Sequence, residues 1–275
     1  MPEGPEVARE ADRLRAALAG QRVEEVRFAF PDLQRRAPGF AGTRVQSVRP
    51  RGKAMLIGFS NELVIYSHNQ LYGRWYVCAA GSFPNTQRQL RLVIETRSHW
   101  AMLYSASEIE VLDEVGLAAH PYLARLGPDA LDPDLDAETL TSRLGDACFA
   151  RRGLASLLLD QTFVAGIGNY LRSEICFEAR VHPSARPNDL EATQRRRLAR
   201  AILKMTHRAY RSRGLTYPPR QAQALRKQGV SWGRSRHWVF ARSGEPCRRC
   251  QSPVERFELA GRRIYVCPEC QPKTR

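Results

Sequence analysis

Four cysteines near the C-terminus, Cys247-x2-Cys250-x16-Cys267-x2-Cys270, restrict what this chain can fold into more than any other feature. Two close pairs at this separation match tetrahedral zinc coordination by four thiolates. With every position taken by protein, such a metal is structural and not catalytic. So short a module buries little core, and metal binding supplies its folding energy. A pair of disulfides is the alternative, disfavoured in a reducing, intracellular compartment. Between the pairs, Phe257–Leu259 and Arg263–Val266 read as a β-hairpin turning at Gly261-Arg262, which sets Arg262 at an exposed tip, either as an ordinary surface arginine or as one in reach of an anionic partner. The remaining cysteines, Cys78, Cys148 and Cys176, are scattered and read as buried apolar residues.

Charge supplies the second constraint. Residues 1–149 carry 17 Lys/Arg against 19 Asp/Glu, whereas residues 150–275 carry 26 against 9. All of the net +15 therefore comes from the second half. Arginine dominates there, and its planar fork suits phosphate, so nucleic acid is the leading partner. The N-terminus lacks the basic-then-apolar layout of a signal peptide, and no apolar run reaches the ~20 residues of a membrane span. A cytoplasmic protein without membrane association is expected.

The 275 residues suffice for two domains. Residues 5–18 read as a helix closed by Gly20. Short strand-like segments follow at Val23–Phe28, Arg44–Val48, Met55–Phe59, Leu63–Ser67, Arg74–Cys78, Leu90–Glu95 and Ala101–Ser105. Turn formers separate them, a pattern that predicts a sandwich or flattened barrel. The acidic, Pro-containing stretch 127–138 reads as a linker. Beyond it, helices are expected at Thr139–Leu144, Leu154–Gln161 and Asn169–Glu178, with a long one from Asp189, capped by Asn188, to about Arg213. The fold class is thus α+β: a leading helix and β-rich domain (1–126), a linker (127–138), a helical domain (139–236) and the four-cysteine module (237–275).

Four further stretches carry chemistry. The chain opens MPEGPEV, and removal of Met1 would expose the secondary amine of Pro2. A free α-amine titrates near pH ~7.7–8.0, so a neutral, nucleophilic fraction exists at physiological pH. Glu3 and Glu6 stand beside it as proton donors or acceptors. The same residues also suit a plain helix start, with Pro5 in the first turn. Gly166-Ile167-Gly168-Asn169 precedes a helix, where backbone N–H groups can approach a phosphate; an ordinary inter-helix turn is the other reading. His68-Asn69-Gln70-Leu71-Tyr72-Gly73 follows a strand and either wedges into a base stack or tucks Leu71 and Tyr72 into the core. Lys53, before another strand, is a surface charge or a cation aimed at a phosphate or reacting sugar.

Taken together, PEGPEV, RGKAML, SHNQLYG, HPYLARLGPDAL, QTFVAGIGNYLRSEI and the four-cysteine module resemble the formamidopyrimidine-DNA glycosylase/endonuclease VIII family from Pro2 to Gln271. SHNQLYG and HPYLARLGPD look like its bacterial endonuclease VIII branch. The resemblance implies a β-sandwich, then a helix–two-turn–helix domain with a zinc-finger hairpin and DNA in the cleft between. It implies a bifunctional glycosylase/AP lyase of base excision repair that acts on double-stranded DNA bearing oxidised bases, pyrimidines favoured, or abasic sites. Pro2 would attack C1′ and form an iminium, with Glu3 as acid/base partner and Lys53 as a basic residue at the lesion. Gln70, Leu71 and Tyr72 would fill the gap left by the everted base. Arg125, Asn169 and Arg262 would bind phosphates, Arg262 also assisting the last elimination. Strand cleavage would run by β,δ-elimination, with one structural Zn2+ and no redox cofactor, in a monomer associated with the nucleoid. The alternatives are a non-enzymatic DNA-binding protein on the same fold, and a glycosylase preferring oxidised purines.

Overall fold

The computed structural model describes residues 2–273, so Met1, whose removal the sequence reading invokes, lies outside the described residues. The chain separates into two compact units. Pro2 and Glu6–Arg125 belong to the first; Glu3–Pro5 join the second with the chain from Leu126 onward.

The first unit begins with α1 (Gly4–Leu18), whose Val7, Ala11, Leu14 and Leu18 recur at helical spacing and are all buried. Two antiparallel four-stranded sheets follow. One has the order β1 (Val23–Phe28), β6 (Leu90–Thr96), β7 (His99–Tyr104), β5 (Arg74–Ala79); the other runs β2 (Val45–Arg51), β3 (Ala54–Phe59), β4 (Val64–His68), β8 (Glu108–Leu112). Val26, Ile94 and Leu103 from the first sheet join Val48, Ile57, Ile65 and Val111 from the second in one core, against the buried face of α1. This is a sandwich, as the spacing of short strands predicts. β8, whose Glu-Ile-Glu-Val-Leu alternates polar and apolar residues, is a strand beyond those expected from the sequence; it pairs with β4, Ile65 opposite Val111. Two short helices, α2 (Pro31–Gln34) and α3 (Glu114–Ala119), and 3-10 turns at Ala37–Phe40 and Leu123–Arg125 complete the unit.

In the second unit come α4 (Ala137–Gly145), α5 (Leu154–Leu157), α6 (Asn169–Ala179), α7 (Ala192–Arg211), α8 (Pro219–Lys227), α9 (Trp232–Ser235) and the hairpin β9 (Glu255–Leu259)–β10 (Arg262–Val266). Within stretch 127–138, Ala130 and Leu135 belong to the helical core, and the Ala130 amide donates to the Ala165 carbonyl at 3.0 Å. The long helix starts later than the sequence suggests. Pro187–Asp189 form a separate 3-10 turn, and Glu191 caps α7 in a reciprocal box with Gln194. α5 is a single turn, shorter than expected, because Asp160 accepts from the Thr162 amide and turns the chain. The hairpin also shifts by one residue. Ala260 and Gly261, both at positive φ, make the turn, as the two-residue type I′ loop requires, and Arg262 becomes the first strand residue, paired with Leu259. Of the scattered cysteines only Cys176 is buried; Cys148 is exposed and Cys78 half-buried.

Candidate active site and nucleic-acid interface

Glu3 is the centre of the second unit's site. It is 3% exposed, and its carboxylate accepts from the amides of Gly168 and Tyr170, both at 2.8 Å, and Leu171 at 3.3 Å. These are the orphan donors at the N-terminus of α6, where the helix dipole also favours negative charge. Gly168 is glycine for a definite reason: a Cβ there would stand 2.3 Å from the Glu3 carboxyl carbon. Gly4 approaches the same turn so closely that its amide donates to the Gly166 carbonyl at 2.7 Å, and an added Cβ would meet Gly166 Cα at 2.9 Å. The Gly168 amide and the first turn of α6 are therefore directed at a carboxylate of this chain, where the sequence pattern alone suggests a phosphate. Pro2, half-buried, is the residue directly before this fixed carboxylate.

Asn169 lies at the first position of α6. Its Nδ2 donates to the Arg263 carbonyl at 3.1 Å, and its Oδ1 accepts from Arg172 Nη2 at 2.7 Å. Arg172, fully buried, also donates to the carbonyls of Ala155, Leu259, Arg262 and Arg263. Burial holds its guanidinium below the usual arginine range. One buried cation thus ties α6 to both strands of the hairpin and fixes the backbone from which the exposed Arg262 projects. Sequence reasoning missed Arg172; the available signal was a charged residue in a helix whose neighbours Leu171, Ile175 and Cys176 are all core types.

The first unit gathers its residues at one end of the sheet β2-β3-β4-β8. Ala54 is paired with His68, so Lys53 before β3 and Asn69 after β4 follow at the same edge. Gly52, at φ 60°, opens the two-residue β2–β3 turn and leaves Lys53 only 7% exposed, its amide donating to the Tyr122 hydroxyl at 3.1 Å. Lys53 is not an ordinary surface charge. Burial holds the neighbouring His68 below the ordinary imidazole range; Glu108 opposes this and Lys53 reinforces it. In the loop after β4, Gln70 sits at φ 47°, its Nε2 donating to Glu108 at 2.8 Å and its Oε1 accepting from Ser107 at 2.9 Å. Leu71 and Tyr72 are 64% and 69% exposed, outside the core. Arg125 ends the 3-10 turn Leu123–Arg125 and is exposed.

The sulfurs of Cys247, Cys250, Cys267 and Cys270 all lie within 4.8 Å of one another. The Cys250–Cys267 and Cys247–Cys270 separations are 3.3 and 3.9 Å, far beyond a disulfide bond and close to the ~3.8 Å edge of a tetrahedron with 2.3 Å metal–sulfur legs. The cluster fits a tetrahedral metal ion. Glu174 of α6 secures the segment leading into it: fully buried, it accepts from Thr216 and from the amides of Trp238, Val239 and Phe240 at 2.8–2.9 Å. Burial pushes its carboxyl up, against these hydrogen bonds. Gln271 accepts from the Cys267 amide and donates to the Val181 carbonyl, closing the cluster from the other side.

Comparison with known proteins agrees with this geometry. The family model described as the formamidopyrimidine-DNA glycosylase N-terminal domain matches residues 1–107, and the model of its H2TH domain matches 126–218. Endonuclease 8 of Shigella sonnei (strain Ss046) is 45% identical over 271 residues, 98% of this chain and 100% of that protein, and that of Escherichia coli (strain K12 / DH10B) is equally similar over the same span. The chain belongs to the formamidopyrimidine-DNA glycosylase/endonuclease VIII family. It is a DNA glycosylase and AP lyase of base excision repair. Among solved structures, Lactococcus lactis formamidopyrimidine-DNA glycosylase bound to DNA containing an AP site matches at a TM-score of 0.80 and 20% identity, covering 98% of this chain and 100% of that one. MutM in complex with DNA containing carbocyclic 8-oxo-G matches at 0.80 and 21%, covering 99% and 100%. The glycosylase/endonuclease VIII fold is thus shared at low identity. No helix among the described residues is long and apolar enough to cross a membrane.

Proposed function

We propose that this enzyme excises oxidised pyrimidines from double-stranded DNA through a covalent Pro2 intermediate and then cleaves the strand by β,δ-elimination. The observation that carries the reading is the Pro2-Glu3 pair: a secondary amine one peptide bond from a carboxylate fixed by three helix amides. Once Met1 is removed, the neutral amine attacks C1′, the base departs with its bonding electrons and a proton, and the C1′–O4′ bond then breaks, O4′ taking a proton, to leave an open-chain iminium. Glu3 exchanges protons at the sugar. The iminium acidifies the C2′ protons; loss of one expels the 3′ phosphate, and a second elimination expels the 5′ phosphate. The steps are carried by the amine and general acids and bases, without a redox cofactor. Lys53, buried at its turn, supplies positive charge at the lesion, while Arg125, Asn169 and Arg262 hold phosphates, Arg262 assisting the last elimination.

Gln70, Leu71 and Tyr72 enter the helix where the damaged nucleotide leaves it, at the cost of unstacking. The exposure of Leu71 and Tyr72 supports that role. The pyrimidine preference is supported by similarity to endonuclease 8 proteins across the whole chain, against 20–22% identity to the solved formamidopyrimidine-DNA glycosylases. The four thiolates hold one structural Zn2+, which keeps the hairpin folded. The reading includes four segments, 1–126, 127–138, 139–236 and 237–275, and a monomer acting in the reducing cytoplasm at the nucleoid.

Borohydride trapping on duplex DNA carrying an oxidised pyrimidine, with intact-mass analysis of the same preparation, tests the proposal. The expected result is a reduced adduct mapped to Pro2 on a chain lacking Met1. A free Pro2 that binds the DNA and yields no adduct, there or on an abasic site, would leave a DNA-binding protein without the chemistry. Efficient trapping on 8-oxoguanine DNA and none on pyrimidine lesions would shift the substrate to oxidised purines.

A further inference from the structure

Residues 69–73 pass between two strands and expose two large apolar side chains, so their position depends on what grips the stems. On the far side, Gln70 is held by Glu108 and Ser107, and the Tyr72 carbonyl accepts from Arg88 at 2.5 Å. Across the base of the loop, the Gly73 amide donates to the Asn69 carbonyl at 2.7 Å, and a Cβ on Gly73 would stand 2.6 Å from Asn69 Cα. The near side is held from α1. Glu10, its side chain 12% exposed, accepts from Asn69 Nδ2 at 2.6 Å and from the backbone amide of Trp75. A single carboxylate therefore grips the residue that enters the loop and the strand that leaves it.

The geometry points to Glu10 as a positioning residue for the Gln70-Leu71-Tyr72 wedge, setting the loop rigidly against the helix that follows Pro2. This inference rests on the wedge reading given under Proposed function. Glu10 has no part in bond making; it acts through Asn69 and Trp75. Its electrostatic setting matches a grip and not a solvated surface charge. Burial pushes its carboxyl up, while the Asn69 amide, Arg13, the Trp75 amide and Arg74 pull it back. Asn69 is itself buried, and its Oδ1 has no partner, so the contact of its Nδ2 with Glu10 is what orients the side chain. Loss of the carboxylate leaves a buried amide group and the Trp75 N–H unsatisfied and lets the loop stems part.

The test compares Glu10→Ala, Leu71→Ala and the double variant on one oxidised pyrimidine, placed in a duplex and in the same strand alone. A 2-aminopurine beside the lesion reports unstacking. A wedge matters only where a partner strand and a stack must be opened, so the readout is the duplex-to-single-strand ratio of excision rates. Glu10→Ala is expected to lower this ratio on the order of 10-fold, as loose positioning does. It should slow the 2-aminopurine rise, and the double variant should be no worse than Leu71→Ala. Glu10→Gln, which keeps one acceptor for Asn69, should restore part of the loss and serves if the alanine variant folds poorly. If Leu71→Ala lowers the ratio and Glu10→Ala leaves it unchanged, or if the two losses add, the positioning role is wrong. If Leu71→Ala itself leaves the ratio unchanged, the wedge reading fails and this inference with it.

Discussion

Glu3 is held through both carboxylate oxygens: Oε1 accepts from Tyr170, Oε2 from Gly168 and Leu171. An amide side chain cannot satisfy that arrangement, because its NH2 would face backbone N–H groups whichever way it is turned. Glu3→Gln should lower base excision by ~10²–10⁴-fold through loss of the acid/base group. It should also cost ~1–3 kcal/mol of stability from the unsatisfied donors, an effect the sequence gives no reason to expect. Thermal unfolding alongside single-turnover excision and DNA affinity separates the two; excision at the normal rate would remove Glu3 from the chemistry. Gly168→Ala should mimic the catalytic loss without touching any titratable group, since its Cβ displaces the carboxylate.

At the scale of elements, α6 is the organising piece of the second unit. Its N-terminus receives Glu3, Arg172 holds the hairpin, and Glu174 holds the segment 238–240. Both charged residues are buried in a helix that otherwise packs like core, so removing either leaves several backbone groups unpaired. Glu174→Ala should destabilise by at least ~2 kcal/mol, from three amides that lose their acceptor. Differential calorimetry and zinc content read the loss. The pH dependence has a definite sign. Burial raises the Glu174 carboxyl above its unfolded value, so its favourable contribution is complete below the unfolded pKa and disappears as pH rises through the folded one. Relative to Glu174→Gln, the wild-type protein should therefore gain stability on acidification from neutral pH, in urea titrations run in parallel. A variant difference independent of pH would mean that Glu174 does not titrate in this range.

For the molecule as a whole, the proposed Zn2+ is expected to hold the hairpin more than its small core does. Phe177, Trp238, Val239, Val254 and Tyr265 form a small cluster with the thiols themselves, so the ligands are also part of the packing. Chelation, or Cys247→Ser, should release zinc, quench the packing of Trp238 against Phe177, and abolish tight DNA binding. Metal analysis, tryptophan fluorescence and a binding isotherm at fixed salt check this; tight binding by metal-free protein would show that the finger is dispensable for grip. Binding by the intact protein should weaken steeply with salt, because the chain from residue 150 onward carries the excess of arginine.

Much of this was legible in the residues. The alternation of short apolar segments gives the sandwich strands, 3.6-residue spacing gives α1 and the core face of α7, and the two cysteine pairs give a thiolate cluster, because each signal repeats locally at a fixed period. PEGPE, SHNQLYG and GIGNY also identify the family directly. Boundaries that depend on hydrogen-bond partners were not legible: the one-residue shift at Ala260-Gly261 and the late start of α7 at its Glu191 box. Nor was the use of the charged residues. That Glu3 fills a helix N-terminus 165 residues away, that Arg172 and Glu174 are buried, and that Glu10 grips Asn69 follow from long-range proximity. Sequence determines which groups exist and how often they recur. Only the tertiary structure decides which buried donor meets which acceptor, because that pairing is fixed by packing between segments far apart in the chain.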